Sequence, residues 1–310
     1  MIKVLFMGSP DFSVSALKKL VEYDGTEVVG VVSQEDKPKG RGYEMMPTAV
    51  KAYALSVGIP VYTPHTLRDN AIADLLTEIN PDVIVVVAYG KILPDYVLDY
   101  PRLGCVNIHA SLLPMYRGAS PINFAIIKGE KETGVTSMLM DSGLDTGDML
   151  MKTTVPIDDN DDFGILHDKL SEAGADLLIK TLDGLSDGTI VPQKQEGDTF
   201  YAPLIGNDIK HIDFSRPSAD VRNLVRGLSP VPTAFTELNG KRIKVFSCDT
   251  VRVESSALPG TLLSKDELLV KTADGAVRLT QIAPEGKRRM TDSDFMRGLR
   301  VSETSEYIFS

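Results

Sequence analysis

Short apolar runs alternate with amphipathic stretches along the first half of the chain. Each apolar run has the length of a buried strand, and each amphipathic stretch repeats its apolar residues every three or four positions, as a helix does. The pattern predicts strands at 2–8, 28–33, 60–62, 82–90, 104–111, 134–140 and 148–157, and helices at 12–23, 48–57, 69–79 and 162–185. The run at 82–90 is apolar on both faces, which is typical of the centre of a parallel sheet. Strands alternating with helices indicate an α/β fold with an open, mainly parallel, Rossmann-like sheet and right-handed crossovers.

The pattern changes near residue 183. Residues 183–203 are rich in Gly, Pro and polar residues, as a linker is. Beyond them the sequence predicts one helix at 218–228, followed by short β patterns separated by NG, PG and DG turn signals. Short strands of this kind favour a small antiparallel, OB-like β-barrel. We therefore expect a larger domain at 1–188, a linker at 189–208 and a C-terminal β-barrel domain at 209–310.

Composition and charge narrow the class of protein. The 310 residues carry a net charge of −10, which by itself argues against a nucleic-acid binder. Residues 1–205 hold 17 Lys and Arg against 29 Asp and Glu, whereas residues 206–310 hold 16 against 14, so the two parts suit different tasks. The longest apolar run, 83–88, is far shorter than the roughly 20 residues of a membrane-spanning helix. With two cysteines and no apolar run of signal-peptide length at the start, we expect a cytoplasmic protein without membrane association.

Asn107 and His109 stand one residue apart at the end of the strand predicted at 104–111. Alternate side chains of a strand share a face, so both point the same way. Ligands of open α/β sheets bind beyond the carboxyl ends of strands. There an amide and an imidazole suit a carbonyl oxygen that gains negative charge, although a histidine can also simply cap a strand end.

Asp145 lies between Gly143 and Gly147, in a tight turn after the strand predicted at 134–140. If this strand neighbours the one that ends in His109, the carboxylate can face the same crevice and orient the imidazole. The alternative is a turn aspartate that bonds its own backbone. Together the three residues form an amide, an acid–base group and an orienting carboxylate, a set suited to transfer at a one-carbon or acyl centre.

Several common sites are missing from the sequence. The first strand ends in GSPDFS rather than the glycine fingerprint of dinucleotide-binding folds, which argues against a dinucleotide-dependent oxidoreductase. There is no Walker A loop, no nucleophile elbow and no His/Cys cluster with zinc spacing, so we expect no metal. A noncatalytic RNA-binding protein remains an alternative. The presence of Asn107, His109 and Asp145 together argues against it.

The stretch NIHASLLPMYRGASPI (107–122), together with SGLDTGD (142–148), resembles the folate-dependent formyltransferases. The resemblance implies a formyl transfer from 10-formyltetrahydrofolate, without a metal, and a catalytic set formed by Asn107, His109 and Asp145. It also implies a folate site. The residues implied to bind the folate are Val87, Ala88, Tyr89, Gly90, Ser111, Leu112, Pro114 and Asp141, of which Tyr89 could equally be a packing aromatic.

The segments 36–51, 201–203 and 212–236 are similar to the branch of that family that formylates initiator methionyl-tRNA. The resemblance implies that a loop around Gly40, Arg41 and Gly42, with Arg117, lies beside the acceptor end of the tRNA, although Arg41 could be a solvated loop charge. It further implies a tRNA-binding second domain and a monomer. The alternative is a small amine as acceptor, such as an amino-sugar nucleotide or glycinamide ribonucleotide, whose enzymes generally lack these segments.

The chain departs from that branch at several positions where a charge or a tryptophan is usual. These positions are Tyr43, Glu44, Met115, Leu204, Ile205 and Val231. Each lost phosphate contact flattens the salt dependence of nucleic-acid binding, so we expect the departures to affect tRNA affinity and not the chemistry.

Overall fold

The structure is a computed structural model that describes residues 1–39, 44–299 and 301–310. One compact unit comprises residues 1–118, 133–156 and 167–201. A second compact unit comprises residues 119–132, 157–166 and 202–310. Within the described ranges, no helix is both long enough and apolar enough to cross a bilayer.

The described residues form sixteen strands, nine α-helices and two 3-10 helices. The strands are β1 (Ile2–Gly8), β2 (Thr26–Val32), β3 (Lys37–Lys39), β4 (Glu44–Met46), β5 (Val61–Tyr62), β6 (Val83–Val87), β7 (Cys105–His109), β8 (Arg117–Gly118), β9 (Glu132–Leu139), β10 (Met149–Pro156), β11 (Tyr201–Ala202), β12 (Ala234–Leu238), β13 (Lys241–Val251), β14 (Leu269–Lys271), β15 (Ala276–Pro284) and β16 (Met290–Thr291). The α-helices are α1 (Val14–Glu22), α2 (Ala49–Ser56), α3 (Ala73–Ile79), α4 (Asp95–Leu98), α5 (Pro121–Ile127), α6 (Phe163–Ser186), α7 (Asn207–Lys210), α8 (Ser218–Gly227) and α9 (Asp292–Leu299). The 3-10 helices are Asp11–Ser13 and Thr304–Glu306.

The first unit is built on a sheet whose described strands run in the order β10-β9-β7-β6-β1-β2-β5. The pairs β1–β2, β1–β6, β2–β5 and β6–β7 are parallel. All five residues of β6 are buried, as expected of a strand that is covered on both faces. Ile84 and Val86, which share one face of β6, pack in a core cluster with Leu76 of α3 and Val97 of α4. The predicted α/β class and the mainly parallel sheet are confirmed.

The strand β9 pairs with β7 but runs antiparallel to it. Thr136 of β9 lies opposite His109, and Leu139 lies opposite Val106. The prediction that these two strands are neighbours is confirmed. Because they are antiparallel, however, their carboxyl ends lie at opposite edges of the sheet. The turn that carries Asp145 therefore starts at the level of Val106 and must fold back over the sheet to reach His109.

The second unit contains an antiparallel sheet in the order β12-β13-β15-β14, with β16 paired to β15. Bridges close it further, because Phe309 pairs with Leu238 of β12, Ile308 pairs with Thr261, and Leu262 pairs with Val270 of β14. The closed arrangement surrounds an apolar core that includes residues of α8. The predicted antiparallel barrel and the helix predicted at 218–228 are confirmed.

Several short elements were not predicted, namely the strands β3, β4, β8, β11 and β16 and the helices α4, α5, α7 and α9. The polar stretch 34–47 contains the hairpin strands β3 and β4, and helices α5 and α9 follow patterns too short to stand out from the surrounding loops. These differences leave the sheet order unchanged.

Candidate active site

His109 ends β7 with its imidazole almost completely buried. Its side chain is 7% exposed, and its Nε2 lies 3.0 Å from the backbone oxygen of Tyr116. Because a carbonyl oxygen can only accept a hydrogen bond, Nε2 carries a hydrogen. The other ring nitrogen, Nδ1, lies 3.7 Å from Oδ1 of Asp145. Nδ1 is therefore the nitrogen through which this imidazole can take up or release a proton.

Asn107 shares the face of β7 on which His109 lies, while Ile108 between them is buried on the other face. The Asn107 side chain is half-buried. Within the described residues its amide makes no hydrogen bond to another protein group. A half-buried amide with its donors free, beside an imidazole, is suited to bind an oxygen of a ligand.

Asp145 reaches this face from the turn between β9 and β10. Its side chain is 13% exposed, and its Oδ2 accepts a 2.9 Å hydrogen bond from the backbone N–H of Gly118. Its backbone is left-handed, with φ of 53°. A non-glycine residue holds such a conformation when its surroundings require it, which is frequent at functional sites.

The turn that carries Asp145 is shaped in part by its own residues. Oδ1 of Asp141 accepts hydrogen bonds from the N–H of Gly143 (3.0 Å) and from Oγ1 of Thr146 (2.7 Å). Gly147 cannot be replaced without a rearrangement, because a Cβ there would lie 1.7 Å from the oxygen of Leu139. Asp141, predicted to bind the folate, is exposed and shapes this turn through its carboxylate.

The loop 110–118 closes the other side of the pair formed by His109 and Asp145. Ser111 is buried, its hydroxyl donates to the oxygen of Met115 (2.6 Å), and its own oxygen accepts from Oγ1 of Thr136 (2.7 Å). The same Thr136 hydroxyl accepts from the N–H of Leu113 (3.1 Å). Leu112 and Pro114, also predicted folate residues, are half-buried in this loop. The loop is thus held rigidly by its backbone and by Thr136.

Residues 87–90 follow the central strand β6. The carbonyl oxygen of Val87 accepts a 2.6 Å hydrogen bond from the hydroxyl of Ser13, and that of Tyr89 accepts one of 2.8 Å from Nε2 of Gln34. Ala88 and Gly90 are exposed and have positive φ angles of 47° and 76°. Their backbone is therefore open to a ligand, with little side-chain bulk in the way.

The side chain of Tyr89 belongs to the hydrophobic core rather than to the surface of this segment. It is 1% exposed, and burial raises its pKa to about 12. Its hydroxyl has no hydrogen-bond partner among the described residues. Of the two interpretations left open by the sequence, the structure supports the packing aromatic for the side chain and leaves only the backbone of Tyr89 for a ligand.

Arg117 is held against a residue that the sequence did not single out. Its Nε and Nη2 donate to Oε1 of Gln195 at 2.9 and 2.7 Å. The amide nitrogen of Gln195 in turn donates to the backbone oxygens of Asp145 and Gly147, both at 2.8 Å. Gln195 lies in a stretch with the composition of a linker, which gave no signal of this contact. Gly40, Arg41 and Gly42, predicted to lie beside the tRNA, fall outside the described residues.

The described side chains include no group of three or more His, Cys, Asp or Glu residues arranged to hold a metal ion. What the first unit does assemble is an amide with no hydrogen-bond partner among the described residues, an imidazole with one nitrogen available, and a largely buried carboxylate. Such a set can stabilise an oxyanion and move a proton between two groups on one small carbon centre.

The sequence matches known protein families in both of its parts. Residues 2–182 match the family model "Formyl transferase", and residues 205–300 match "Formyl transferase, C-terminal domain". The chain therefore belongs to the formyl transferase family.

Relatives of nearly equal length carry one name. A methionyl-tRNA formyltransferase of Caldanaerobacter subterraneus subsp. tengcongensis is 47% identical over 97% of this chain and 98% of its own. A methionyl-tRNA formyltransferase of Bacillus licheniformis is 48% identical over 96% of this chain and 95% of its own.

Solved structures share the fold at lower identity. The N-formyltransferase from Helicobacter canadensis, in complex with folinic acid and dTDP-3-aminofucose, has a TM-score of 0.67 and 20% identity over 90% of this chain and 99% of its own. HypX from Aquifex aeolicus in complex with tetrahydrofolic acid has a TM-score of 0.62 and 16% identity over 95% of this chain, which spans 47% of that longer protein.

Proposed function

We propose that this protein transfers a formyl group from 10-formyltetrahydrofolate to the free amino group of initiator methionyl-tRNA. The observation that carries the proposal is the convergence of Asn107, His109 and Asp145 in a chain of the formyl transferase family. The acceptor is supported by relatives that are named methionyl-tRNA formyltransferase and are 43–50% identical over 88–97% of this chain. We also propose that it acts in the cytoplasm and as a monomer.

The residues of the site account for each step of such a transfer. The amine nitrogen attacks the formyl carbon, and the carbonyl electron pair moves to the oxygen, which the Asn107 amide is placed to bind. Nδ1 of His109 takes the proton that the amine loses, and the Asp145 carboxylate, 3.7 Å away, stabilises the imidazolium. The carbon–nitrogen bond to the folate then breaks, and the proton passes to the leaving folate nitrogen. The products are tetrahydrofolate and formylated methionyl-tRNA.

We propose that the folate lies against the open backbone at Ala88 and Gly90. The flat pteridine needs hydrogen-bonding backbone groups and room for a ring, and this segment offers both. The other residues predicted to bind the folate then act chiefly by shaping the walls of the folate site, because the described contacts engage them or their loops within the protein. These residues are Val87, Ser111, Leu112, Pro114 and Asp141.

We propose the second unit as the platform for the tRNA. It carries two basic clusters, 241–244 and 287–289, which are separate in sequence. The backbone brings the two segments together beside the clusters, because the N–H of Glu285 donates to the oxygen of Arg242 at 2.9 Å. Lys and Arg side chains bind the phosphates of a nucleic acid regardless of its base sequence. We propose that Arg41 and its glycines, and separately Arg117, contact the acceptor end of the tRNA. Arg41→Ala should impair the use of charged tRNA while folate affinity stays unchanged; a collapse of folate affinity would contradict this placement.

A competition between acceptors tests the proposal. The protein is given 10-formyltetrahydrofolate with initiator methionyl-tRNA, elongator methionyl-tRNA, an amino-sugar nucleotide or glycinamide ribonucleotide, and kcat/KM is measured for each. We expect initiator methionyl-tRNA to be preferred by orders of magnitude. A higher kcat/KM for either small amine would replace the proposed acceptor but keep the chemistry, and no transfer to any amine would overturn both.

A further inference from the structure

The segment 193–200 runs past both loops of the active site. The backbone of Gln193 pairs with that of Met149 through hydrogen bonds of 2.7 and 2.8 Å. The hydroxyl of Thr199 donates to the oxygen of Pro114, and the ring of Phe200 packs edge-on against that of Tyr116, with centroids 5.6 Å apart. This segment therefore contacts the start of β10, next to the turn that carries Asp145, and the loop 110–118.

Gln195 makes the contacts of this segment that lie nearest to the proposed chemistry. Its amide nitrogen uses both hydrogens, one for the oxygen of Asp145 and one for the oxygen of Gly147. Its amide oxygen accepts two hydrogen bonds from Arg117. The guanidinium can only donate, so it selects the orientation of the amide in which the nitrogen faces the turn.

These bonds act on a backbone that needs support. Asp145 adopts a left-handed conformation, and its carboxylate must stay near Nδ1 of His109 to serve the proposed mechanism. Gln195 fixes the carbonyl groups on both sides of Thr146, so the turn cannot rotate without breaking two hydrogen bonds. The carboxylate itself accepts a hydrogen bond from the N–H of Gly118 in the loop 110–118.

We propose that Gln195 is a positioning residue for formyl transfer, which holds Asp145 in place through the backbone of its turn and is itself oriented by Arg117. This inference rests on the role of Asp145 in the proposed function. Gln195 thus has a functional role although it lies in the stretch 183–203, whose composition is that of a linker.

Gln195→Glu tests the inference most sharply. Glu has nearly the same shape and keeps an oxygen for Arg117, but it has no hydrogen to donate and places a carboxylate oxygen against the two carbonyl oxygens. Gln195→Ala removes all the contacts, and Gln193→Glu makes the same chemical change at an exposed side chain two residues away. Two quantities are measured for each variant. One is the steady-state rate of methionyl-tRNA formylation, and the other is the rate of amide hydrogen exchange in residues 140–148.

We expect Gln195→Glu and Gln195→Ala to lower kcat at least tenfold, because a displacement of about 1 Å at a catalytic group is enough for such losses. KM for the tRNA and for the folate should change less than threefold, and exchange in 140–148 should become faster. Gln193→Glu should match the unmodified protein in every measurement.

A kcat within threefold of the unmodified protein for Gln195→Glu would overturn the inference, as would a loss that appears only in KM. Asp145→Asn separates this failure from that of the proposed function. If Asp145→Asn loses activity while Gln195→Glu keeps it, Gln195 has no positioning role and the proposed function stands. If Asp145→Asn keeps full activity, the proposed role of Asp145 fails and the inference falls with it.

Discussion

Replacing Asp145 by Asn removes one charge from the active site while nearly preserving its shape. The Asn side chain keeps an oxygen that can accept the hydrogen bond from the N–H of Gly118. What it loses is the interaction of a carboxylate with the imidazolium of His109, whose Nδ1 lies 3.7 Å from Oδ1. Both side chains are largely buried, so solvent screens this interaction only in part.

The size of the effect follows from this distance. Two unit charges about 4 Å apart, at an effective dielectric constant of about 20, interact by about 4 kcal/mol. If the interaction is made fully in the transition state, its loss lowers kcat by about 10³-fold. The assay is formylation of methionyl-tRNA at saturating concentrations of both substrates, with thermal unfolding as a check on the fold.

Asp148→Asn is the matched control for this prediction. Asp148 lies three residues further along, more exposed, in a long 3.8 Å ion pair with Lys194. Its replacement should change kcat less than threefold. A kcat for Asp145→Asn within threefold of the unmodified protein would refute the proposed stabilisation of the imidazolium.

Three further predictions follow from the same structure. Tyr89→Phe removes a buried hydroxyl that has no hydrogen-bond partner among the described residues. The free energy of unfolding in a denaturant titration should therefore rise by about 1 kcal/mol. A fall of that size would show that the hydroxyl makes a hydrogen bond in the folded protein. Leu204→Lys restores a charge at an exposed position and should tighten tRNA binding and make its affinity depend more steeply on salt concentration. The control Leu204→Gln should change neither. Equal salt dependence of tRNA affinity in the two variants would exclude a phosphate contact at this position. Burial raises the pKa of the Cys105 and Cys248 thiols to about 12, so iodoacetamide at pH 8 should label neither in the folded protein and both after unfolding; rapid labelling of the folded protein would contradict their burial.

The orientation of Asn107 and His109 could be predicted because it depends only on the period of a strand. Two residues that are separated by one position must share a face, whatever the rest of the chain does. The approach of Asp145 could be predicted only in outline. Periodicity does not reveal whether a neighbouring strand is parallel or antiparallel, so the path of the turn after β9 was not predictable from the sequence.

Gln195 shows why part of the site was missed. Its partners Asp145 and Arg117 lie 50 and 78 residues away in the sequence. Its neighbours are those of a flexible linker, and a glutamine has no chemistry that marks it as catalytic. Only the folded chain shows that its amide has every hydrogen-bonding group engaged at the site.

The second domain repeats this lesson. The short strands and their turns were evident from the alternation of apolar residues, but the closure of the barrel depends on isolated bridges of Ile308 and Phe309. Pairings of one or two residues have no period, so no pattern in the sequence could indicate them.

The rate of a single turnover in His109→Ala tests the central claim most directly. The protein, in excess over initiator methionyl-tRNA and saturated with 10-formyltetrahydrofolate, is quenched at successive times and the formylated product is measured. We expect the rate constant to fall by about 10²-fold to 10⁴-fold, the usual contribution of a proton-transfer group, while the tRNA still binds with its normal affinity. A rate constant within threefold of that of the unmodified protein would contradict the account.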